Sequence, residues 1–178
     1  EINGVLHVLK DTLRNNEKRK AEISANMSNI EKGVKNYDPR LLTLKSILET
    51  RLHDKYHQNI QVSILADLIE VKDPEWKNAI EGYLYGQKFY LFVDPVYFEA
   101  ALKIYDEIKF EYNLFDFGIV DCEKVLQSNP NMIKGSLAEE ISTTNEYARA
   151  YINSLIGALI KCDKVEDLRK HSRSITKT

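Results

Sequence analysis

Apolar residues recur at Ile2, Leu6, Leu9, Leu13, Ile23, Met27, Ile30 and Val34 in steps of four and three, with the polar pair Asn16 and Lys20 interrupting the seam. This is the a/d pattern of a heptad repeat sustained over about five heptads, and a polar pair in such a seam sets register at some cost in stability. The spacing predicts a helix over residues 1–36. It can be read as one strand of a coiled coil or as an amphipathic helix packed on its own domain, and its length favours the first. The helix should weaken at Gly33 and stop near Asn36, because Pro39 lacks an amide donor and disfavours helical geometry at Asp38.

A second helix is predicted from Pro39 to about His53, with Asp38 as its cap and Leu41, Leu44, Leu48 and Leu52 as its buried stripe. Asp73-Pro74 and Asp94-Pro95 repeat the same device, and Asn129-Pro130 resembles it. The prolines therefore mark element boundaries. Between them, strands are predicted around Val62 to Ile64 and Leu68 to Val71, separated by a bend, then at Lys88 to Val93 and at Phe117 to Val120. Helices are predicted from Pro74 to Tyr85, with Trp76, Ala79, Ile80, Tyr83 and Leu84 on one face and Gly86 closing it, and from Pro95 to about Phe110.

The second half of the chain repeats part of the first. LADLIEVKDPEWKNAIEGYLYG (Leu65 to Gly86) aligns without gaps on LAEEISTTNEYARAYINSLIGA (Leu137 to Ala158), so that Ile69 meets Ile141, Ile80 meets Ile152 and Leu84 meets Ile156. After a three-residue deletion, Tyr90 to Asp94 meets Leu159 to Asp163. The predicted unit is strand, capped helix, strand, helix. A repeat carried by packing residues points to architecture before chemistry.

Charge divides the chain in three. Residues 1–57 hold eleven bases and eight acids (+3), residues 58–160 eight bases and sixteen acids (−8), and residues 161–178 six bases and three acids (+3). An acidic middle argues against a nucleic-acid-binding core and leaves such contact to the flanks. Charged residues make up 29% of the chain and only seven residues are glycine, which favours a helix-rich architecture. The two cysteines, Cys122 and Cys162, have neither zinc-site nor redox-pair spacing, which suits a reducing cytoplasm. No signal peptide and no run long enough to span a bilayer is evident, so no membrane partner is expected. The abrupt start at Glu1 inside a helical pattern reads as an excised fragment.

Candidate chemistry is sparse. His53 and His57 share a helical face at i and i+4, as in some metal sites, but no third ligand lies nearby and a solvated helix end explains them. Asp67, Glu70, Asp73, Glu75 and Glu81 suit caps and exposed faces as well as acid/base work. No phosphate-cradling glycine loop or nucleophile elbow is present. No metal, cofactor or catalytic residue is expected, and a small α/β enzyme using the Asp67 to Glu81 carboxylates is the least favoured alternative. The basic segment Arg169-Lys170-His171-Ser172-Arg173 fits a solvated helix end or a phosphate contact through Arg169, Lys170 and Arg173.

A heptad arm leading into a duplicated α/β unit carries a resemblance. LADLIEVKDPEWKNAIEGYLYGQKFYLFVDPVYFEAALKIYDEIK resembles the first half, and GSLAEEISTTNEYARAYINSLIGALIKCDKVEDLRKHSRSITKT the second half, of a hinge domain of the structural maintenance of chromosomes (SMC) superfamily. Within it, the chain looks closer to divergent bacterial SMC-like proteins, such as those of Wadjet-type plasmid-defence complexes. The resemblance implies an α+β fold of two pseudo-repeated halves behind a long coiled-coil helix. It divides the chain into an arm (1–36), a connecting helix (37–57), a first half (58–130) and a second half (131–178), with the returning arm cut off after Thr178. It implies a non-catalytic module that dimerises a cytoplasmic, nucleoid-associated ATPase whose heads lie elsewhere, within a complex for chromosome organisation, segregation or plasmid defence. Other subunits of such a complex, and DNA, are the further partners it implies. Small residues that let strand edges of two subunits approach match Gly82 and Gly86 in the first half and Gly157 and Ala158 in the second. Tyr85-Gly86-Gln87 stands where many hinges carry paired glycines.

Overall fold

A computed structural model describes residue 10, residues 12–20 and residues 37–177. The chain divides into two units, Glu1–Asp38 and Pro39–Thr178. In the first, residues 12–20 form helix α1, and its seam residue Leu13 is 63% exposed. The remaining apolar heptad positions, and the expected stop between Gly33 and Asn36, lie outside the described residues.

The second unit opens with helix α2 (Pro39–Tyr56), whose Leu41, Leu44, Leu48 and Leu52 are fully buried, the stripe expected from their spacing. It packs against helix α5 (Phe98–Ile108). α2 runs three residues beyond the expected end and is closed by His57, whose backbone turns left-handed (φ 54°) while its amide donates to the His53 carbonyl at 2.7 Å. Both imidazoles are exposed, and His53 Nδ1 lies 3.0 Å from the Gln58 carbonyl. Among the described residues no group of three or more His, Cys, Asp or Glu side chains could hold a metal.

The first half then runs through strand β1 (Ser63–Ile64), a single helical turn α3 (Leu65–Leu68), β2 (Glu70–Val71), a 3-10 turn (Pro74–Trp76) leading into helix α4 (Lys77–Leu84), a second 3-10 turn (Tyr85–Phe89), β3 (Leu91–Phe92) and α5. The second half runs through a 3-10 turn (Leu137–Glu140), β4 (Ile141–Ser142), helix α7 (Glu146–Ile156), β5 (Ile160–Lys161), a 3-10 turn (Val165–Lys170) and β6 (Ser174–Ile175). Helix α6 (Cys122–Gln127) joins them and packs on α7.

The repeat read from the sequence reappears in the hydrogen bonding, although the helix expected to end the second unit is only the 3-10 turn Val165–Lys170. The amide of Leu65 donates to the Tyr90 carbonyl, and that of its counterpart Leu137 to the carbonyl of Leu159, the counterpart of Tyr90. β1 pairs antiparallel with β3 (Ile64 opposite Leu91), and Ser136 bridges antiparallel to Ile160. On the far side Leu91 bridges in parallel to Ile119, while β5 pairs in parallel with β6. Asp73 accepts from the Glu75 amide at the start of one helix and Asn145 from the Ala148 amide at the start of the other.

The halves meet through like strands. β2 and β4 pair antiparallel, Glu70 opposite Ser142 and Val71 opposite Ile141, as a local two-fold relation requires. Below this pairing lies one core drawn from both halves: Leu65, Trp76, Ile80, Leu84 and Phe92 with Leu137, Ile141, Ala148, Ile152 and Ile156. Lys161 locks the junction from the second half. Its ammonium pairs with Glu140, lies 3.5 Å from Glu139 and stands 5.9 Å from the centre of the Trp76 ring in the first half.

Several local expectations are corrected. The strand expected from Leu68 begins at Glu70, because Leu65 and Leu68 turn together toward the core in a helical turn. The strand expected from Lys88 begins at Leu91, because Tyr85–Phe89 is wound into a 3-10 turn. The strand expected at Phe117 to Val120 is a single bridge at Ile119. Helix α6 was not expected. Asp121 caps it through the Lys124 amide at 3.0 Å, without the proline that marks the other starts. Asn129-Pro130 opens no helix, and Asn129 is left-handed (φ 43°) where the chain leaves α6.

Candidate dimer interface

The four small residues matched to subunit contact fall into two environments. Gly82 lies on the exposed face of α4 and Gly86 in the turn after it, and a Cβ placed on either meets nothing within 4 Å. Gly157 is buried at the end of α7, where a Cβ would lie 2.4 Å from the Asn153 carbonyl oxygen and 2.5 Å from that of Asn131. Its smallness is used inside the protomer. Ala158 follows it, half-buried.

Gly86 does not close α4 as expected. The residue that turns the chain is Tyr85, with φ 41° and ψ −120°, while its amide still donates to the Glu81 carbonyl. Those dihedrals are near the first central position of a type II′ turn, where glycine dominates. The Tyr85 ring is 82% exposed, and two residues back Tyr83 is 41% exposed. Beside them Glu81 is paired with Lys88.

Arg173 ties the two helix ends together. One of its guanidinium nitrogens donates to the Tyr83 hydroxyl at 2.6 Å, from α4, and to the Leu155 carbonyl at 2.8 Å, from α7. The surface around Gly82 and Gly86 is thereby set next to the end of the helix that Gly157 terminates. Of the other residues considered for phosphate contact, Lys170 is paired with Asp167 at 2.6 Å, which raises its pKa, and Arg169 is exposed with no hydrogen bond or ion pair among the described residues. This segment is a 3-10 turn running into β6, so Arg173 sits at a strand start.

Three of the five carboxylates considered for acid/base work are engaged structurally. Asp73 is a cap, Glu75 pairs with Lys177, and Glu81 pairs with Lys88. Cys122 is 1% exposed, and burial pushes its thiol up to about 11, so it is not a nucleophile at neutral pH. Sequence reasoning missed Tyr83, Tyr85 and Arg173 as a surface. The one available signal was a tyrosine directly before the glycine at a helix end.

No family model matches the chain, and no curated protein matches it. Solved structures do. The Pyrococcus furiosus Smc hinge domain with an extended coiled coil superposes with a TM-score of 0.53 at 21% identity, covering 99% of this chain and 68% of that one. A crystal structure of the Pyrococcus furiosus SMC protein hinge domain gives the same TM-score and identity over 78% of this chain and 79% of that one. The Geobacillus stearothermophilus SMC hinge domain, crystallised as an asymmetric dimer, matches with a TM-score of 0.53 at 15% identity over 98% and 72%. The fold is that of an SMC hinge domain.

Proposed function

We propose that this chain is the dimerisation hinge of an SMC-like ATPase, a non-catalytic module joining two copies of its parent at the far end of coiled-coil arms. The observation that carries the reading is the pairing of two equivalent half-domains through β2 and β4, in a fold shared with SMC hinges of which one was solved as a dimer. The heptad seam of residues 1–36 supplies the arm, and Gly82, Gly86 and Ala158 mark the contact region, with Gly157 beside them packed inside the protomer. The arm is taken as 1–36, the connecting helix as 37–57 and the halves as 58–130 and 131–178. The parent works in the cytoplasm, associated with the nucleoid and with other subunits, in chromosome organisation and segregation or in plasmid defence. The described residues include no helix long and apolar enough to cross a membrane. Sedimentation equilibrium over a wide concentration range tests the proposal: a concentration-dependent dimer supports it, and a strict monomer at the highest concentration removes it.

A second reading is contact with DNA through Arg169, Lys170 and Arg173. It is favoured by the free, exposed guanidinium of Arg169. Binding that weakens steeply with added salt and drops on Arg169→Ala supports it; no binding at low salt excludes it.

A further inference from the structure

The internal repeat departs from its symmetry at the end of the capped helix. Tyr85 is the counterpart of Gly157, and the turn Tyr85–Phe89 contains the three residues that the second half lacks. In the second half the position is a glycine in ordinary right-handed geometry (φ −64°), enclosed by backbone. In the first half it is an aromatic residue in a left-handed conformation, with its ring 82% in water. Two unfavourable choices therefore coincide at Tyr85. A non-glycine residue at such dihedrals is strained, and an exposed aromatic ring leaves a large apolar face hydrated.

Among the described residues no side-chain contact offsets either cost. The Tyr85 ring has no hydrogen-bond, aromatic or cation–π partner among the described residues. The exposed aromatics Phe110 and Phe115, in contrast, cover each other edge to face with ring centres 5.1 Å apart. The surroundings of Tyr85 are bare. Gly82 and Gly86 leave open backbone on either side, and Glu81 is neutralised by Lys88. Arg173 keeps its charge, but its guanidinium is already engaged by the Tyr83 hydroxyl and the Leu155 carbonyl.

We propose that Tyr85 is an anchor side chain covered by a second copy of this chain, held outward by its strained turn so that the ring is positioned before the copies meet. The inference rests on the dimer reading and assigns it a residue. Tyrosine suits the task, since it brings a large rigid face at little cost in side-chain entropy, and anchors of this kind dominate interface energetics. Pre-setting the turn moves the ordering cost into the free protomer, where it lowers stability instead of affinity.

That trade gives a signature that a merely structural tyrosine does not share. Tyr85→Gly relieves the strained dihedrals and removes the ring. It is expected to raise the melting temperature at concentrations where the chain is monomeric, by roughly 2–6 °C, while weakening the dimer about tenfold or more in sedimentation equilibrium. Tyr85→Phe keeps the ring and should dimerise within a few-fold of the parent. Tyr85→Asp, folded as judged by circular dichroism, should be monomeric. A wild-type dimer whose Kd is unmoved by Tyr85→Gly overturns the assignment alone. A lowered monomer melting temperature in Tyr85→Gly also overturns it, since the ring would then be supporting the fold. A wild-type chain that stays monomeric throughout overturns the dimer reading and this one with it.

Discussion

Ile152→Ala asks whether the two halves are one cooperative structure. Ile152 has no exposed surface and its counterpart Ile80 is 2% exposed, and both belong to the core shared by the halves. Truncating a fully buried isoleucine to alanine removes its transfer free energy and leaves a cavity, together about 2–5 kcal/mol. Helices from both halves line the site and cannot close it independently, so we take about 3–4 kcal/mol. A domain of this size is stabilised by about 5–15 kcal/mol, so the variant stays folded with a large share of its stability gone. With a urea slope of about 2 kcal/mol/M, the midpoint should fall by about 1.5–2 M.

The readout is built into the chain, because its single tryptophan, Trp76, is buried in the first half while the substitution lies in the second. At one fixed protein concentration, urea unfolding followed by Trp76 fluorescence and by circular dichroism should shift together. Ile80→Ala should move both midpoints by a similar amount. A Trp76 midpoint that stays put in Ile152→Ala, while circular dichroism becomes biphasic, would refute the shared core. It would make the halves two separately folding bodies.

Three further outcomes follow from other sites. Gly82→Ala should be neutral to stabilising by up to about 1 kcal/mol in thermal unfolding of the monomer, because the added methyl lies on an open helix face. Gly157→Ala should cost several kcal/mol, about 2–4, through its clash with two carbonyls; equal effects of the two would contradict the environments described. Lys161→Met should destabilise by about 1 kcal/mol and flatten the alkaline limb of the stability profile. Burial pulls the Lys161 pKa down, but Glu140 and Glu139 outweigh it and leave the value raised in the folded state. Its contribution is therefore fully present below the unfolded lysine value and is lost as pH climbs through the raised folded one. An unchanged alkaline limb in the variant would rule the triad out as the source. Finally, Cys122 and Cys162 are both buried and Cys122 carries a thiol pushed up to about 11, so a thiol reagent at pH 8 should label neither in the native protein and both in urea. Fast native labelling of either would place that cysteine at the surface.

Where the sequence was legible, it was so for local physical reasons. Asp73-Pro74 and Asp94-Pro95 mark turns whose side chains accept from amides two residues on, at 2.9 and 3.0 Å, and no tertiary context was needed to see them. The leucine stripe of α2 is likewise a property of one helix. The repeat was legible because Ile80 and Ile152, and Leu84 and Ile156, occupy equivalent core positions. Strand extents were not, since each strand is two residues long and is fixed by its partner, as Leu91 is by Ile64 and Ile119. Helix α6 escaped because its cap, Asp121, carries no proline. Of the proposed contact region, the glycines could be named from resemblance, but their environments could not. Gly157 is committed to packing against Asn131, which only the folded chain brings near, and Arg173 meets Tyr83 across 90 residues of sequence.

The β2–β4 pairing makes the protomer a covalently tethered pair of half-length modules. The exposed stretch around Ser128 acts as the tether, and it contributes nothing to the strand register of Val71 opposite Ile141. Severed there, the chain is expected to reassemble from its two pieces as a split-protein system, each supplying one side of the β2–β4 junction.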